Sequence, residues 1–145
     1  MGFLIMIIYT DKTLKNWQGG RQLWFFAIVR PEHRGKQDLI EHEKAHIKQW
    51  WLVTILTALA VGFGAFVANK HLGVTWEQLA PLVVLPPSTH ALLYLTLKKY
   101  RLWAEVQAYR VSLSYRPNQL DHYANVLATK YKLRISTDQA KRLLS

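Results

Sequence analysis

The sequence predicts a mostly helical α+β fold, a single domain over residues 1–145 that opens with a small N-terminal β-hairpin or strand pair. Three observations predict it. Two short apolar runs rich in β-branched and aromatic residues lie near the N-terminus, Phe3 to Tyr9 and Trp24 to Val29. A long stretch without prolines follows from Gln37 to Asn69. Patterned segments with helix signals fill the rest of the chain. With 145 residues, the chain can bury its own core. It contains no cysteine, which excludes a disulfide framework, a thiolate metal site and a cysteine nucleophile. Any metal would have to be held by imidazole and carboxylate.

Phe3 to Tyr9 is an Ile-rich run and reads as a buried strand. Thr10 to Gln18 is polar, and Gly19-Gly20 signals a turn. Trp24 to Val29 is the second strand, placed at an edge, and Pro31 ends it. A helix is expected from Gln37 or Asp38, with Asp38 capping it or lying at the positive end of its dipole. It runs without a charged residue from Gln49 to Asn69. A second charge-free stretch, Leu79 to Leu97, carries Pro81, Pro86 and Pro87, so its first half is a poor helix. From Ser88 the pattern reads as one helix through Lys98, Trp103 and Tyr109. After Pro117-Asn118, short helices are expected within residues 118–145, near Leu120 to Lys130 and Asp138 to Leu144. Ser136 and Gln139 match a capping box at the last of them.

The formal net charge is +10, from 19 Lys and Arg against 9 Asp and Glu. Such a surface favours anionic partners in general. The basic residues are spread along the chain, with no like-charge block and no nucleic-acid-binding module, so nucleic acid is not the expected partner. Phe3 to Ile8 lacks a basic segment before it and a small-residue cleavage site after it, so no secretory signal is expected. Met6 stands where a myristoylation signal after Gly2 would need Ser or Thr.

The chemistry concentrates in His42-Glu43-Lys44-Ala45-His46. Residues four apart lie on one helix face, so the two imidazoles can bind one metal side by side. Glu43, on the adjacent face, is placed to hold a water and take its proton as general base. Catalytic zinc usually takes three protein ligands and leaves a position for water. Gln49 and Leu52 stand where a metzincin would have Gly and His, so a downstream carboxylate is the better expectation. Between Lys44 and Leu120 the only carboxylates are Glu77 and Glu105. Glu77 lies in a short polar link and is expected in solvent. Glu105 sits in YRLWAEVQAYR among apolar neighbours, and a carboxylate there needs a partner. Glu105 is therefore the favoured third ligand, with His90 and His122 as rivals and an ion pair to Arg101 or Arg110 as the structural alternative. Tyr109 is a candidate for polarising a substrate carbonyl, against the plainer role of a core, hydrogen-bonding tyrosine. His33 and His71 are expected to face solvent.

HEKAHIKQWW, then an apolar helix, then YRLWAEVQAYR resembles the zincin-type metallopeptidases with a glutamate third ligand, the gluzincins. The likeness covers roughly residues 20 to 116 and is greatest to small HExxH proteins of bacteria and their phages. The closing DHYANVLATKYKLRISTDQA also resembles the tails of phage-encoded members. The resemblance implies a zincin-like helical core, zinc on His42, His46 and Glu105, Glu43 as general base, and a peptide or protein substrate. It implies a cytoplasmic location in a bacterial host, or association with a virion. The departure is an apolar insertion, Leu52 to Leu97, between the second and third ligands.

That apolar hairpin, residues 50–97, has two readings. In one it enters a bilayer, with Trp50 and Trp51 at its start and Lys44, Lys48, Lys98, Lys99 and Arg101 flanking it on one side. In the other it is the core of a compact domain, as a mean hydropathy near zero suits. In either, Gly62, Gly64 and the nearby alanines would let helices pack closely. Besides the peptidase, two functions are expected alternatives: a structural or interaction protein on the same scaffold, such as a phage particle component, and a membrane-associated binding module.

Overall fold

A computed structural model describes residues 5–145. The fold is α+β and mostly α, with one small sheet at the N-terminal end. The strands are β1 (Met6–Tyr9), β2 (Gly20–Leu23) and β3 (Phe26–Val29). The expected first strand begins upstream of β1, and Gly2, Phe3 and Leu4 lie outside the described residues.

The sheet differs from the expected strand pair in two ways. Its order is β1-β3-β2, so WFFAIV supplies the central strand and not an edge. β3 pairs parallel with β1 and antiparallel with β2, in register Leu23↔Phe26 to Gly20↔Val29. The hairpin turn falls at Trp24-Phe25, with Trp24 in the left-handed region at φ 55°, and Gly19-Gly20 leads into a strand. β2 was hidden because GRQL has neither alternation nor β-branched residues; pairing with β3 makes it a strand. Ala27, Ile28 and Val29 are buried, as a central strand requires. Arg30 holds the polar loop before β2 in place by donating to the carbonyls of Gln18 at 2.8 Å and Lys15 at 3.1 Å.

The first helix, α1, runs unbroken from Gln37 to Leu72. Its N-terminal half packs against the sheet and against α4 (Lys98–Tyr115); its C-terminal half extends beyond them. Gly73 ends it in the left-handed conformation, φ 70°, its N–H donating to the Ala68 carbonyl. The chain returns through α2 (Trp76–Leu79), a 3₁₀ segment at Ala80–Val84, and α3 (Leu85–Thr96). Pro81 falls in the 3₁₀ segment and Pro86 and Pro87 in the first turn of α3, where a missing N–H breaks no bond. Two short helices, α5 (Leu120–Lys130) and α6 (Thr137–Leu144), close the fold, α6 capped by the expected Ser136–Gln139 box. Val106 and Tyr109 of α4 pack with Tyr123, Leu127, Leu133 and Leu144 into the C-terminal core.

Three further expectations need correction. The helix from Ser88 is not continuous: Leu97 is extended, φ −102° and ψ 104°, and separates α3 from α4. Arg101 closes the break by donating to the carbonyls of Tyr94 at 2.8 Å and Leu95 at 2.7 Å, which α3 leaves open at its end. Gly62 and Gly64 face open space, so they mediate no close helix packing within the chain. Of the two roles expected of Asp38 only the second holds: Lys36 occupies the N-cap position and Asp38 lies in the first turn, at the positive end of the dipole. Its buried carboxylate accepts from the Tyr123 hydroxyl at 2.8 Å and pairs with Arg116 Nε at 3.2 Å, tying the start of α1 to the end of α4 and to α5.

Tyr123→Phe removes the hydroxyl that satisfies Asp38 and is expected to destabilise the fold by about 1–3 kcal/mol. Thermal melting of the two proteins side by side checks this; an unchanged midpoint would show that Arg116 alone suffices.

Candidate metal centre

The site forms where α1 crosses α4. His42 and His46 are one helical turn apart on α1, ring centroids 4.9 Å apart. α4 approaches closely because Ala104 and Ala108, fully buried, face the contact. Glu105 lies between those alanines in sequence and points its carboxylate at both rings: Oε2 is 3.8 Å from His42 Nε2 and 3.7 Å from His46 Nε2. The three donor atoms lie within 4.8 Å of one another, and the three residues form a buried group that could hold a metal ion.

The outer nitrogens of both imidazoles are engaged. His46 Nδ1 lies 3.0 Å from Gln49 Oε1, and Gln49 Nε2 donates to the Ala104 carbonyl at 3.0 Å. His42 bonds the Ala108 backbone, and its Nδ1 lies 3.3 Å from Ser112 Oγ. Ser112 in turn donates to the Asp38 carbonyl at 3.1 Å. Such outer bonds fix each ring's tautomer and leave Nε2 facing the common point. The second carboxylate oxygen of Glu105 accepts from the Tyr94 hydroxyl, while Oε2 has no hydrogen-bond partner despite 2% exposure of the residue. A buried carboxylate oxygen without a donor, aimed at two imidazole nitrogens, fits a cation. A tetrahedral ion with bonds of about 2 Å spaces its ligands roughly 3.3 Å apart, a few tenths of an ångström closer than Glu105 Oε2 stands to either imidazole nitrogen.

The electrostatics follow from burial and from Glu105. Burial, helped by charge on His46, holds His42 down to about 3, so this imidazole is neutral and ready to ligate. Burial also opposes charge on His46, but the Glu105 carboxylate outweighs it and lifts His46 to about 9. Glu105 is held below the usual carboxylate range because His46 and His42 outweigh its own burial. An ion entering here competes with the proton that Glu105 favours on His46.

Glu43 is 4% exposed and lies beside this group. Its carboxylate accepts from the Gln22 backbone, and burial foremost pushes it up to about 7. Its Oε2 has no hydrogen-bond partner. β2 presses against it so closely that a Cβ on Gly20 would stand 2.8 Å from Glu43 Oε1. A cleft of about 530 Å³ opens over the donors, walled by β2 on one side and by α3 on the other.

Glu105 therefore sits where the sequence places it, and the ion-pair alternative fails: Arg101 closes α3 and Arg110 donates to the Leu143 carbonyl. His90 lines the cleft, but its Nδ1 is 2.7 Å from the Tyr100 hydroxyl and it lies outside the donor group. His122 and His71 are exposed, and so is Glu77. His33 is half-buried against Gly19, contrary to expectation. Tyr109 stacks edge-on against His42 at 4.5 Å, and its hydroxyl lies 3.0 Å from that of Tyr131. Gln49, Tyr94, Ser112 and Tyr131 went unrecognised in the sequence. Gln49 alone had a signal there, three residues after His46 on one helix face.

About one metal ion per chain is expected by elemental analysis, lost in His46→Ala and in Glu105→Ala but kept in His122→Ala. Retention in Glu105→Ala would remove Glu105 from the ligand set. Gly20→Ala is expected to keep the metal while displacing the Glu43 carboxylate, and a crystal structure of the variant showing Glu43 unmoved would refute that packing constraint.

The chain matches no protein-family model, no curated protein and no solved structure.

Proposed function

We propose that the protein is a zinc-dependent peptidase that hydrolyses peptide bonds with an activated water. The observation that carries this reading is Glu43. A site that used metal only for stability would need His42, His46 and Glu105 but no second buried acid. Here Glu43 lies next to the donors, faces the cleft, and keeps one carboxylate oxygen without a partner.

The donor set, two imidazoles and one carboxylate with no thiolate, suits zinc and leaves a coordination position for water. Bound zinc would supply a Lewis acid and bring the pKa of its water towards neutrality. The chain's own residues do the rest. Glu43 accepts a proton from the attacking water at a carboxylate oxygen and delivers it to the departing amine. In the metal-free site burial raises its pKa to about 7, and a bound cation would favour the carboxylate form that a base requires. β2 pairs only with β3 among the described strands, which leaves its other edge beside the cleft. An extended substrate backbone can add to that edge as a further strand. β2, and not the WFFAIV strand, is the edge open to it. Tyr131 lines the same cleft, and Tyr109 acts through it, holding its hydroxyl.

Glu43→Gln is the test. It preserves shape and removes the base, so zinc content should stay at wild-type level while hydrolysis of a fluorogenic peptide mixture falls by roughly 10²–10⁴-fold. Equal hydrolysis by wild type and variant would reject Glu43 as base. A zinc-loaded wild type inert towards every peptide and protein offered would favour the structural role instead.

A further inference from the structure

We infer that the hairpin formed by the C-terminal half of α1 and the returning α2–α3 segment is embedded in a lipid bilayer, with the metal cleft at an anionic membrane surface. The first ground is what the hairpin exposes. From Trp51 to Leu72 no residue of α1 is buried. The residues turned outward are Leu52, Leu56, Leu59 (67% exposed), Phe63 (72% exposed) and Phe66. The returning arm shows Val83, Val84 and Leu85 in the same way. A helix on the surface of a water-soluble domain turns charged and polar residues outward. This one has no Asp, Glu, Lys or Arg from Gln49 to Asn69. Nor is it a core helix that happens to be apolar, since only 6% of its most apolar window is buried.

Length and end chemistry choose the occupant. Trp51 to Asn69 spans about 28 Å at 1.5 Å per residue, close to the roughly 30 Å hydrocarbon layer. Half-buried Trp51 stands at the base and exposed Trp76 near the tip, where amphipathic rings meet headgroups. At the base, Lys44, Lys48, Lys98 and Lys99 are accompanied by Glu41, while the tip carries Lys70 against Glu77. Excess positive charge at the base complements anionic headgroups and follows the positive-inside pattern. Several polar groups of the returning arm are satisfied within the protein: Thr89 and Thr96 donate to carbonyls one turn back, at 2.7 Å and 2.6 Å, and the Pro87 carbonyl accepts from Trp50 Nε1 at 2.9 Å. Trp50, adjacent to Trp51, lines the cleft, which sets the cleft at the level of the headgroups.

The full chain, purified in detergent and loaded with zinc, is mixed with vesicles of phosphatidylcholine and phosphatidylglycerol and floated on a density gradient after detergent removal. Wild type is expected to float and to stay with the vesicles through 1 M salt and an alkaline wash. Leu59→Glu with Phe63→Glu is expected to shift most of the protein to the soluble fraction while zinc per chain is unchanged, which shows that the domain still folds. Release of wild type by salt alone would overturn embedding in favour of surface adsorption. Wild type that stays soluble without detergent as a defined oligomer would overturn it in favour of a second copy covering the hairpin. Zinc content and peptide hydrolysis are read separately, so failure here leaves the peptidase reading intact, and the reverse.

Discussion

The close crossing of α1 and α4 is the contact on which the rest of the site depends. Ala104 and Ala108 are fully buried at that crossing, and a longer side chain at either place would hold the helices apart. Their small size brings Glu105 to 3.7 Å and 3.8 Å from the two imidazoles. It also lets Gln49 bond the Ala104 carbonyl and His42 bond the Ala108 backbone. The same alanines thus set both the donor spacing and the orientation of the rings. Three buried ionisable groups at one point are costly in a folded chain. Such a cluster is favourable where the groups neutralise one another, as His46 and Glu105 do, or share a cation, which this group could hold.

Around that crossing, each wall of the cleft is placed by a different device. β2 reaches Glu43 because Gly20 has no side chain to stand in the way. α3 reaches Glu105 through Tyr94, and it can do so because the chain bends at Leu97 and Arg101 satisfies the carbonyls left open there. The loop before β2 is tied down by Arg30, and Trp17 within it packs edge-on against Tyr131 at 5.7 Å. The rear of the site is closed by the C-terminal core, where Asp38 joins three helices. The apolar hairpin contributes little to this enclosure beyond Trp50 and α3. Its outward side chains are exposed.

Much of this was legible in the sequence, and the reason is locality. The two histidines and Glu43 fall within two helical turns, so their mutual placement follows from helix geometry alone. The long α1, the capping box at Ser136, and α5 and α6 follow from local periodicity and end signals. Glu105 could be chosen because carboxylates are so few between Lys44 and Leu120, and because an acid in an apolar helix needs a partner. The misreadings share a different cause. WFFAIV was placed at an edge, yet whether a strand is central depends on which strands flank it. GRQL carries no strand signal of its own. The bend at Leu97 depends on an arginine four residues later reaching back to carbonyls, and the partners of Asp38, Tyr123 and Arg116, lie far along the chain.

The sequence by itself determined the helix, the pair of histidines one turn apart, the acid beside them and the unbroken apolar run, because each is a property of neighbours along the chain. Only the tertiary structure decided that Glu105 meets those histidines, that β2 and not β3 borders the cleft, and that Gln49, Ser112 and Tyr94 orient the donors. It also decided that the apolar run lies outside the core. The physical reason is the same in each case. Close approach and burial depend on which distant surfaces pack together, and no local propensity records that.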